Sequence, residues 1–221
     1  MVISLDFTFI IASNRPIEEY AGKVITSINN AKDSNKFSYE ILISHPKKVC
    51  LPNTKFFIDK QENGPISSFN RLATLSKGDC IISMSDSVCI CCNFEYWANI
   101  LNKMFTKRKI QIGGTGHDQT PKVSELTNVM ADIIRFPFVT RKSLYDSLCG
   151  YLFHPEFYYH YSDSWIGVWT TLIGEPAIEY GYFNCFTNIS HEFNSKYDIK
   201  DLSTLLKLSK NFKKNSKYTA E

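Results

Sequence analysis

The segment Phe7–Ala12 constrains the fold more than any other part of the chain, because it is an almost unbroken run of β-branched and aromatic residues. A strand with one face in water alternates apolar with polar residues, whereas a run without that alternation is typical of a strand buried on both faces, as in a parallel sheet. The polar residues 13–16 end the run. We therefore predict a parallel sheet covered by helices on both sides.

The first ninety residues predict the order β-α-β-β-α-β. Pro16 fits the first turn of a helix whose apolar residues, from Tyr20 to Ile28, recur at helical spacing. The other predicted elements are strands at 39–44, 55–58 and 80–84 and a helix at 67–76. Parallel strands with covering helices are the economical arrangement of such a pattern, which indicates an α/β protein.

The second half predicts shorter elements around aromatic clusters. We predict helices at 94–105, 141–148, 162–172 and 199–212 and strands at 109–113, 138–141 (a strand or a turn) and 177–183; residues 124–136 stay ambiguous. Neither an internal repeat nor a linker is visible, so we predict a single domain over residues 1–221.

Composition excludes several classes of protein. The 25 Lys and Arg residues nearly balance 22 Asp and Glu residues, which gives no support to a nucleic-acid binder with a broad basic face. The chain is 43% hydrophobic, enough to build a packed core. Asp6 interrupts the apolar start, no stretch has the roughly 18 apolar residues of a membrane span, and the seven cysteines are odd in number. These features predict a cytoplasmic protein with reduced thiols.

A polar loop, Ser85-Asp86-Ser87, follows the strand predicted at 80–84. Ligands of open α/β sheets gather outside the carboxyl ends of the strands. A carboxylate in that place can hold a divalent cation that bridges the phosphates of a nucleotide. The alternative is a surface turn in which aspartate is a common residue.

Two further side chains are candidates for chemistry. Asp163 stands among aromatic residues, where a carboxylate can act as a general base, and it also suits the N-cap of the helix predicted at 162–172. His191 is either a metal ligand that joins a carboxylate or a surface residue.

Two other motifs favour structural roles. Gly113-Gly114-Thr115-Gly116 could cradle a phosphate, but it matches neither common phosphate-binding pattern, so a loop beside a pocket is favoured. Cys89-Ile90-Cys91-Cys92 lacks a second pair of cysteines at zinc-site spacing, so core packing is favoured.

The ordered set of segments resembles glycosyltransferases of the family 2 type with a GT-A fold. The resemblance spans about residues 7–191. Its carriers are FTFIIASNRP at 7–16, NGPISSFNRL at 63–72, LSKGDCIISMSDSV at 75–88, FPFVTRK at 136–142, FHPEF at 153–157 and YSD at 161–163.

This resemblance implies a Rossmann-like, three-layer αβα sandwich around a mostly parallel, mixed central sheet. It also implies a nucleotide-sugar-binding half at 1–90, an acceptor half at 91–195, and a C-terminal helix with a basic tail at 196–221. The activity implied is transfer of a sugar, with inversion, from a nucleotide-diphosphate donor to a glycan or lipid-linked hydroxyl.

The resemblance also assigns roles to residues. Nucleotide contacts map to Ser13, Asn14, Arg15, Asn70 and Asp86. A Mn²⁺ or Mg²⁺ ion maps to Asp86 and His191, and the general base maps to Asp163. Tyr161 and Trp165, in the aromatic cluster at 158–169, are expected to bind the acceptor, because apolar ring faces suit sugar C–H surfaces. The alternative for this cluster is a core seam, to which some of its residues must belong.

Three departures from the family pattern keep alternatives open. The usual acidic triplet is reduced to Asp86, Ser44-His45-Pro46 replaces a common carboxylate, and Phe69 replaces a common arginine. The reduced loop favours a catalytically degenerate nucleotide- or glycan-binding module as the alternative function. A nucleotidyltransferase has less support, because the chain lacks an N-terminal glycine-rich phosphate loop. The basic C-terminal helix could contact an anionic membrane, although a solvated lysine face on a packing helix is favoured.

Overall fold

A computed structural model of the protein describes most of the first ninety residues and several shorter segments. The described residues are 7–31, 37–48, 50–60, 64–91, 99, 112–114, 138–141, 151–158, 165–166, 168, 178–179, 186–188 and 198–215.

Among the described residues, nine strands form two sheets, and three helices have both ends given. The strands are β1 Phe7–Ala12, β2 Tyr39–His45, β3 Thr54–Ile58, β4 Cys80–Met84, β5 Val88–Ile90, β6 Ile112–Gly114, β7 Phe138–Arg141, β8 Ile178–Glu179 and β9 Phe186–Asn188. The helices are α1 Ala21–Asn30, α2 Gly64–Leu75 and α3 Asp198–Asn215.

The larger sheet has seven strands in the order β3-β2-β1-β4-β7-β6-β8. Strands β1 to β4 are mutually parallel where they pair, β7 runs antiparallel to both β4 and β6, and β8 is parallel to β6. Strands β5 and β9 form a separate antiparallel pair. The mostly parallel, mixed central sheet is therefore confirmed.

Helices cover both faces of the sheet, as the uninterrupted apolar β1 predicts. All six residues of β1 are buried. Alternate residues Phe7, Phe9 and Ile11 join a core cluster with the buried face of α1. Ile10 and Ala12 point the other way and join residues of α2, of segment 152–168 and of α3. These clusters make the three layers of the predicted sandwich.

Several element boundaries differ from those predicted. Helix α1 begins at Ala21 rather than near Pro16, because residues 16–20 form a separate turn in which the Gly22 N–H donates to Ile17 O at 2.7 Å. Helix α2 begins at Gly64, three residues before the predicted start. The prediction missed β5 and β9, which are three residues long. Ile199, counted as an apolar marker of the last helix, is 84% exposed.

Some predicted elements cannot be compared with the structure. The helix predicted at 94–105 lies outside the described residues except for residue 99, and the helix at 141–148 lies outside them beyond residue 141. Residues 124–136 lie outside them entirely. In the helix predicted at 162–172, residues 165, 166 and 168 are described and are helical. Within the described part of the chain, no helix is both long and apolar enough to cross a membrane.

Glu40 of β2 connects its strand to β1 and β3 near the amino ends of β1 and β2. Its carboxylate accepts hydrogen bonds from Thr8 Oγ1 at 2.9 Å, from Lys55 Nζ at 2.6 Å and from the Lys77 N–H at 2.7 Å. Burial by itself raises the pKa of Glu40, but these hydrogen bonds outweigh it and hold the pKa below the usual 4.5. The lowered pKa means that the ionised carboxylate stabilises the fold.

We expect Glu40→Gln to lower the free energy of unfolding by about 1 kcal/mol at pH 7, because an amide accepts weaker hydrogen bonds than a carboxylate. A group with a lowered folded pKa stabilises the protein above its unfolded pKa and loses that effect as pH falls through the folded value. The difference between the proteins should therefore shrink below about pH 4.5. Urea unfolding from pH 7 to pH 3.5, with the exposed Glu19→Gln as control, measures it. A constant difference across this range would contradict the role of the charge.

Candidate functional site

The carboxyl ends of β1 and β4 bring two predicted site segments together. The strands are parallel neighbours, and Ile11 is aligned with Met84 at their last paired position. Two residues further on, Ser13 therefore faces Asp86. The Ser13 Oγ donates a hydrogen bond to Asp86 Oδ2 at 2.6 Å, and both side chains are buried. The site lies outside the carboxyl ends of the strands, where open α/β sheets bind their ligands.

Asp86 is held by two residues of the loop after β1. Arg15 Nε donates to Oδ2 at 3.0 Å, and Arg15 Nη2 donates to Oδ1. With Ser13 on Oδ2, both carboxylate oxygens are engaged, and Asp86 is 8% exposed. A two-pronged arginine–carboxylate pair of this kind fixes the orientation of both groups. We call Ser13, Arg15 and Asp86 the edge triad.

Hydrogen bonds within the loop after β4 determine where Asp86 lies. The Val88 N–H donates to Ser85 O at 3.2 Å and closes a turn around Asp86. Ser85 Oγ and Ser87 Oγ lie 2.9 Å apart and share a hydrogen bond. The two serine hydroxyl groups that flank Asp86 thus contact each other.

Arg15 is also held on two other sides. Its guanidinium carbon lies 3.9 Å from the centre of the Tyr20 ring. His45 Nε2 lies 3.0 Å from Arg15 O, and because a carbonyl oxygen only accepts, Nε2 is the donor. The other ring nitrogen, Nδ1, lies 3.0 Å from both the backbone nitrogen and the backbone oxygen of Lys47. These contacts hold the Arg15 backbone against the end of β2.

His45 was not among the predicted site residues. In the sequence, His45 stands out only because Ser44-His45-Pro46 replaces a carboxylate that the resembled glycosyltransferases often have. The sequence does place His45 directly after the predicted strand that ends at Ser44. Because that strand pairs in parallel with β1, its end lies beside the loop after β1, and this position could have indicated a site residue. The ring is 5% exposed and lies between the loops that follow β1 and β2.

The described residues around Asp86 do not fit a divalent cation. A carboxylate offers about four lone pairs, and Arg15 and Ser13 already donate to three of them, so the lone pair left on Oδ1 lies beside the guanidinium. Two like unit charges about 4 Å apart repel by about 4 kcal/mol near a protein surface, so a doubly charged ion beside Arg15 is strongly disfavoured. Among the described residues, no three His, Cys, Asp or Glu side chains cluster as metal ligands do. The predicted ligand His191 lies outside the described residues.

Asn14 and Asn70, both predicted to contact the nucleotide, lie in different surroundings. Asn14 is exposed in the loop between Ser13 and Arg15. Asn70 is 8% exposed and its amide is bonded to backbone: Nδ2 donates to Phe153 O at 2.8 Å, and Oδ1 accepts the N–H groups of Leu152 at 2.9 Å and Phe153 at 2.8 Å. These bonds fasten segment 151–158 to α2.

Trp165, predicted to bind the acceptor, is part of the core. It is 5% exposed, belongs to the cluster that includes Phe153, and packs edge-on against His154 with ring centres 6.0 Å apart. Burial leaves little of its ring for a sugar. Asp163 and Tyr161 lie outside the described residues.

The described part of the glycine motif lies in a strand rather than in the favoured loop, and the described cysteines lie only partly in the core. Gly113 and Gly114 lie in β6 and pair with β7, while residues 115 and 116 lie outside the described part. Cys80 is fully buried, and burial raises the pKa of the half-buried Cys89 thiol. Cys91, in contrast, is exposed rather than packed in the core.

A cavity of about 440 Å³ lies between α2, segment 151–158 and α3. Lys207 Nζ donates to Glu156 Oε2 at 2.8 Å, and this bond holds the pKa of Glu156 below its usual value. Burial lowers the pKa of His154. The residues that line the cavity are Ser67, Asn70, Tyr151, Pro155, Glu156, Phe157, Tyr158 and Lys200.

A scan against protein-family models and a search of curated proteins both give no match for this chain. Solved structures do match. The mannosyltransferase PcManGT from Pyrobaculum calidifontis, in complex with GDP-Man and Mn²⁺, has a TM-score of 0.62 at 12% identity, over 82% of this chain and 56% of that one. TarS 1-349 from S. aureus in complex with UDP-GlcNAc has a TM-score of 0.62 at 12% identity, over 93% and 66%.

Another structure of the S. aureus fragment, in complex with UDP, has a TM-score of 0.59 over 93% of this chain and 65% of that one. The chain therefore spans about half to two thirds of the length of these proteins. At 12% identity the likeness establishes the fold, and the parallel order β3-β2-β1-β4 agrees with it. The chain thus has the GT-A fold that its sequence motifs predict.

Proposed function

We propose that this protein is a glycosyltransferase whose nucleotide-sugar donor binds at the edge triad. The observation that carries the proposal is the Ser13–Arg15–Asp86 constellation at the carboxyl ends of β1 and β4. Three solved structures with the same fold hold GDP-Man, UDP or UDP-GlcNAc. A nucleoside diphosphate is therefore the ligand class that fits both the fold and the charge of Arg15.

The side chains at this edge suit such a donor. A guanidinium group presents N–H donors in a planar fork that matches phosphate oxygens. The exposed amide of Asn14 can donate to and accept from the base or the ribose. Exposed Lys47, Lys48 and Lys60 follow β2 and β3 at the same edge and attract an anionic ligand.

The catalytic step that we propose is an inverting transfer. An acceptor hydroxyl attacks the anomeric carbon of the donor sugar, its proton passes to the carboxylate of Asp163, and the bond to the nucleoside diphosphate breaks. Tyr161 is proposed to contact the acceptor, which is a glycan or a lipid-linked sugar. We assign Trp165 to the core because it is 5% exposed.

The basic helix α3 is proposed to be a packing element rather than a membrane contact. Lys207 is paired with Glu156, and Lys200 Nζ lies 5.2 Å from the centre of the Tyr158 ring. Both lysines thus contact segment 151–158 of the same chain.

A thermal-shift screen tests donor binding. We expect one of UDP, GDP, CMP and dTDP, at a hundredfold excess over its dissociation constant, to stabilise the protein by about 2.7 kcal/mol. In a domain of this size that raises the unfolding midpoint by roughly 5 to 10 °C. The matching free nucleosides, which lack phosphates, are the control. A midpoint that no nucleotide moves would contradict the proposed site.

The second candidate is a non-catalytic nucleotide- or glycan-binding module. It is favoured by the loop that carries only Asp86, because both oxygens of that carboxylate are engaged by neighbouring side chains. Incubation with the matching nucleotide sugar and a panel of glycan acceptors distinguishes the two functions. Release of nucleoside diphosphate that Asp163→Asn abolishes supports the transferase, whereas binding without release supports the module.

A further inference from the structure

We propose that this site binds the diphosphate of its nucleotide without a divalent cation, with the Arg15 guanidinium as the positive group between Asp86 and the phosphates. The proposal rests on the proposed nucleotide-binding function. It concerns how this chain's own residues meet the charge of the ligand.

The first argument is the charge balance at Asp86. A metal-binding carboxylate has a lone pair directed at the ion, whereas the oxygens of Asp86 accept from Arg15 Nε at 3.0 Å, from Arg15 Nη2 and from Ser13 Oγ at 2.6 Å. The carboxylate is 8% exposed and three of its about four lone pairs are taken, so a cation would have to bind the remaining one directly beside the Arg15 guanidinium. The positive partner of this carboxylate is thus part of the chain.

The second argument is that Arg15 is held in place before any ligand binds. The Asp86 carboxylate pairs with the Arg15 guanidinium, and the centre of the Tyr20 ring lies 3.9 Å from the guanidinium carbon. His45 Nε2 donates to the backbone oxygen of Arg15 at 3.0 Å. The Arg15 side chain is 24% exposed, so the group reaches the surface of the edge. A preoriented guanidinium loses less conformational entropy when it binds phosphate than a mobile lysine does.

The third argument is the lack of further anionic ligands in the loop after β4. Ser85 and Ser87 carry neutral hydroxyl groups that bond to each other at 2.9 Å. A divalent ion that binds the diphosphate of a nucleotide usually adds one or two protein carboxylates to the phosphate oxygens. In this loop the one carboxylate is already paired with Arg15.

Isothermal titration calorimetry of UDP and GDP binding tests the proposal. The titrations are done once in EDTA and once in MnCl₂. We expect dissociation constants that agree within about threefold between the two buffers. The electron paramagnetic resonance signal of free Mn²⁺ in a nucleotide solution should be equally strong with and without the protein. A tenfold or larger tightening by Mn²⁺ would overturn the proposal while leaving the nucleotide-binding function intact.

Arg15→Ala and the matched control Arg71→Ala, an exposed arginine of α2, test the residue itself. We expect Arg15→Ala to weaken nucleotide binding in EDTA by about thirtyfold and Arg71→Ala by less than twofold. Because Arg15→Ala leaves Asp86 without its cation, Mn²⁺ should restore part of the affinity of this variant but not change the wild type. Equal affinity of the two variants would overturn the role of Arg15.

Arg15→Lys guards against misfolding of the alanine variant. It keeps the charge but not the two-pronged contact, so we expect an intermediate loss of affinity at an unchanged thermal midpoint. If Arg15→Lys binds nucleotide in EDTA as weakly as Arg15→Ala does, and Mn²⁺ restores the affinity of neither variant, the proposed role of the Arg15 charge is wrong. If the wild type binds no nucleoside diphosphate in either buffer, the proposed function fails and this inference fails with it.

Discussion

Replacing Asn70 with alanine is expected to lower the free energy of unfolding by about 3 kcal/mol, because it leaves buried backbone groups without partners. The Asn70 amide donates to Phe153 O and accepts the N–H groups of Leu152 and Phe153, all at 2.8 to 2.9 Å. Each buried polar group left unpaired costs about 1–3 kcal/mol, and relaxation of the segment recovers part of the sum.

Urea unfolding of Asn70→Ala beside Asn30→Ala measures this effect. Asn30 is the exposed last residue of α1, so its change to alanine should stay within about 0.5 kcal/mol. Amide hydrogen exchange at Leu152 and Phe153 should become faster in Asn70→Ala alone. Equal stabilities of the two variants would show that segment 151–158 does not depend on this amide.

The hydrogen bonds between Asn70 and segment 151–158 give a structural reason for a motif of the sequence. The segment from Asn63 to Asn70 resembles a helix motif of nucleotide-sugar transferases. This resemblance predicts that Asn70 contacts the nucleotide. In the structure the amide is bonded to the backbone of 152–153, which lies 82 and 83 residues away in the chain. Asn70 therefore has a structural role that the motif does not predict, and its contact with the nucleotide stays a prediction.

The sheet could be predicted because its signals are local. Phe7–Ala12 and Cys80–Met84 were predicted with the bounds that the structure shows, since buried parallel strands are nearly continuous apolar runs. Strands β5 and β9 could not be found in this way. Each has three residues, and each is a strand only because the other lies beside it.

The candidate site was predictable in position but not in its contacts. The family resemblance assigns Ser13, Arg15 and Asp86 to the nucleotide, and Asp86 also follows directly after a predicted parallel strand. Their mutual bonds depend on the register of β1 against β4, across 71 to 73 residues of chain. That Asp86 is a metal ligand stays a prediction, and its register with β1 adds Arg15 as a partner that the sequence does not predict.

Gly64→Ala is expected to lower the free energy of unfolding by about 3 to 4 kcal/mol, for two separate reasons. Gly64 has a φ of +77°, a left-handed conformation that costs a residue with a Cβ roughly 1–2 kcal/mol. An added Cβ would also lie 2.3 Å from Tyr158 O, closer than such atoms approach. Because that oxygen belongs to the backbone, segment 151–158 must move, and overpacking of this kind costs about 1–3 kcal/mol.

Asn53→Ala separates the two contributions to this loss. Asn53 has a φ of 55° in an exposed turn, so its change to alanine reports mainly the cost of the left-handed backbone. Gly64→Asn adds the same Cβ as Gly64→Ala in a residue type that tolerates this backbone better, so it should recover only the smaller part of the loss. The Tyr158 N–H, which donates to Asp201 Oδ1 at 2.9 Å, should exchange faster in both Gly64 variants. If Gly64→Ala costs no more than Asn53→Ala, contact with Tyr158 does not hold α2 against this segment, and the left-handed backbone alone accounts for the glycine.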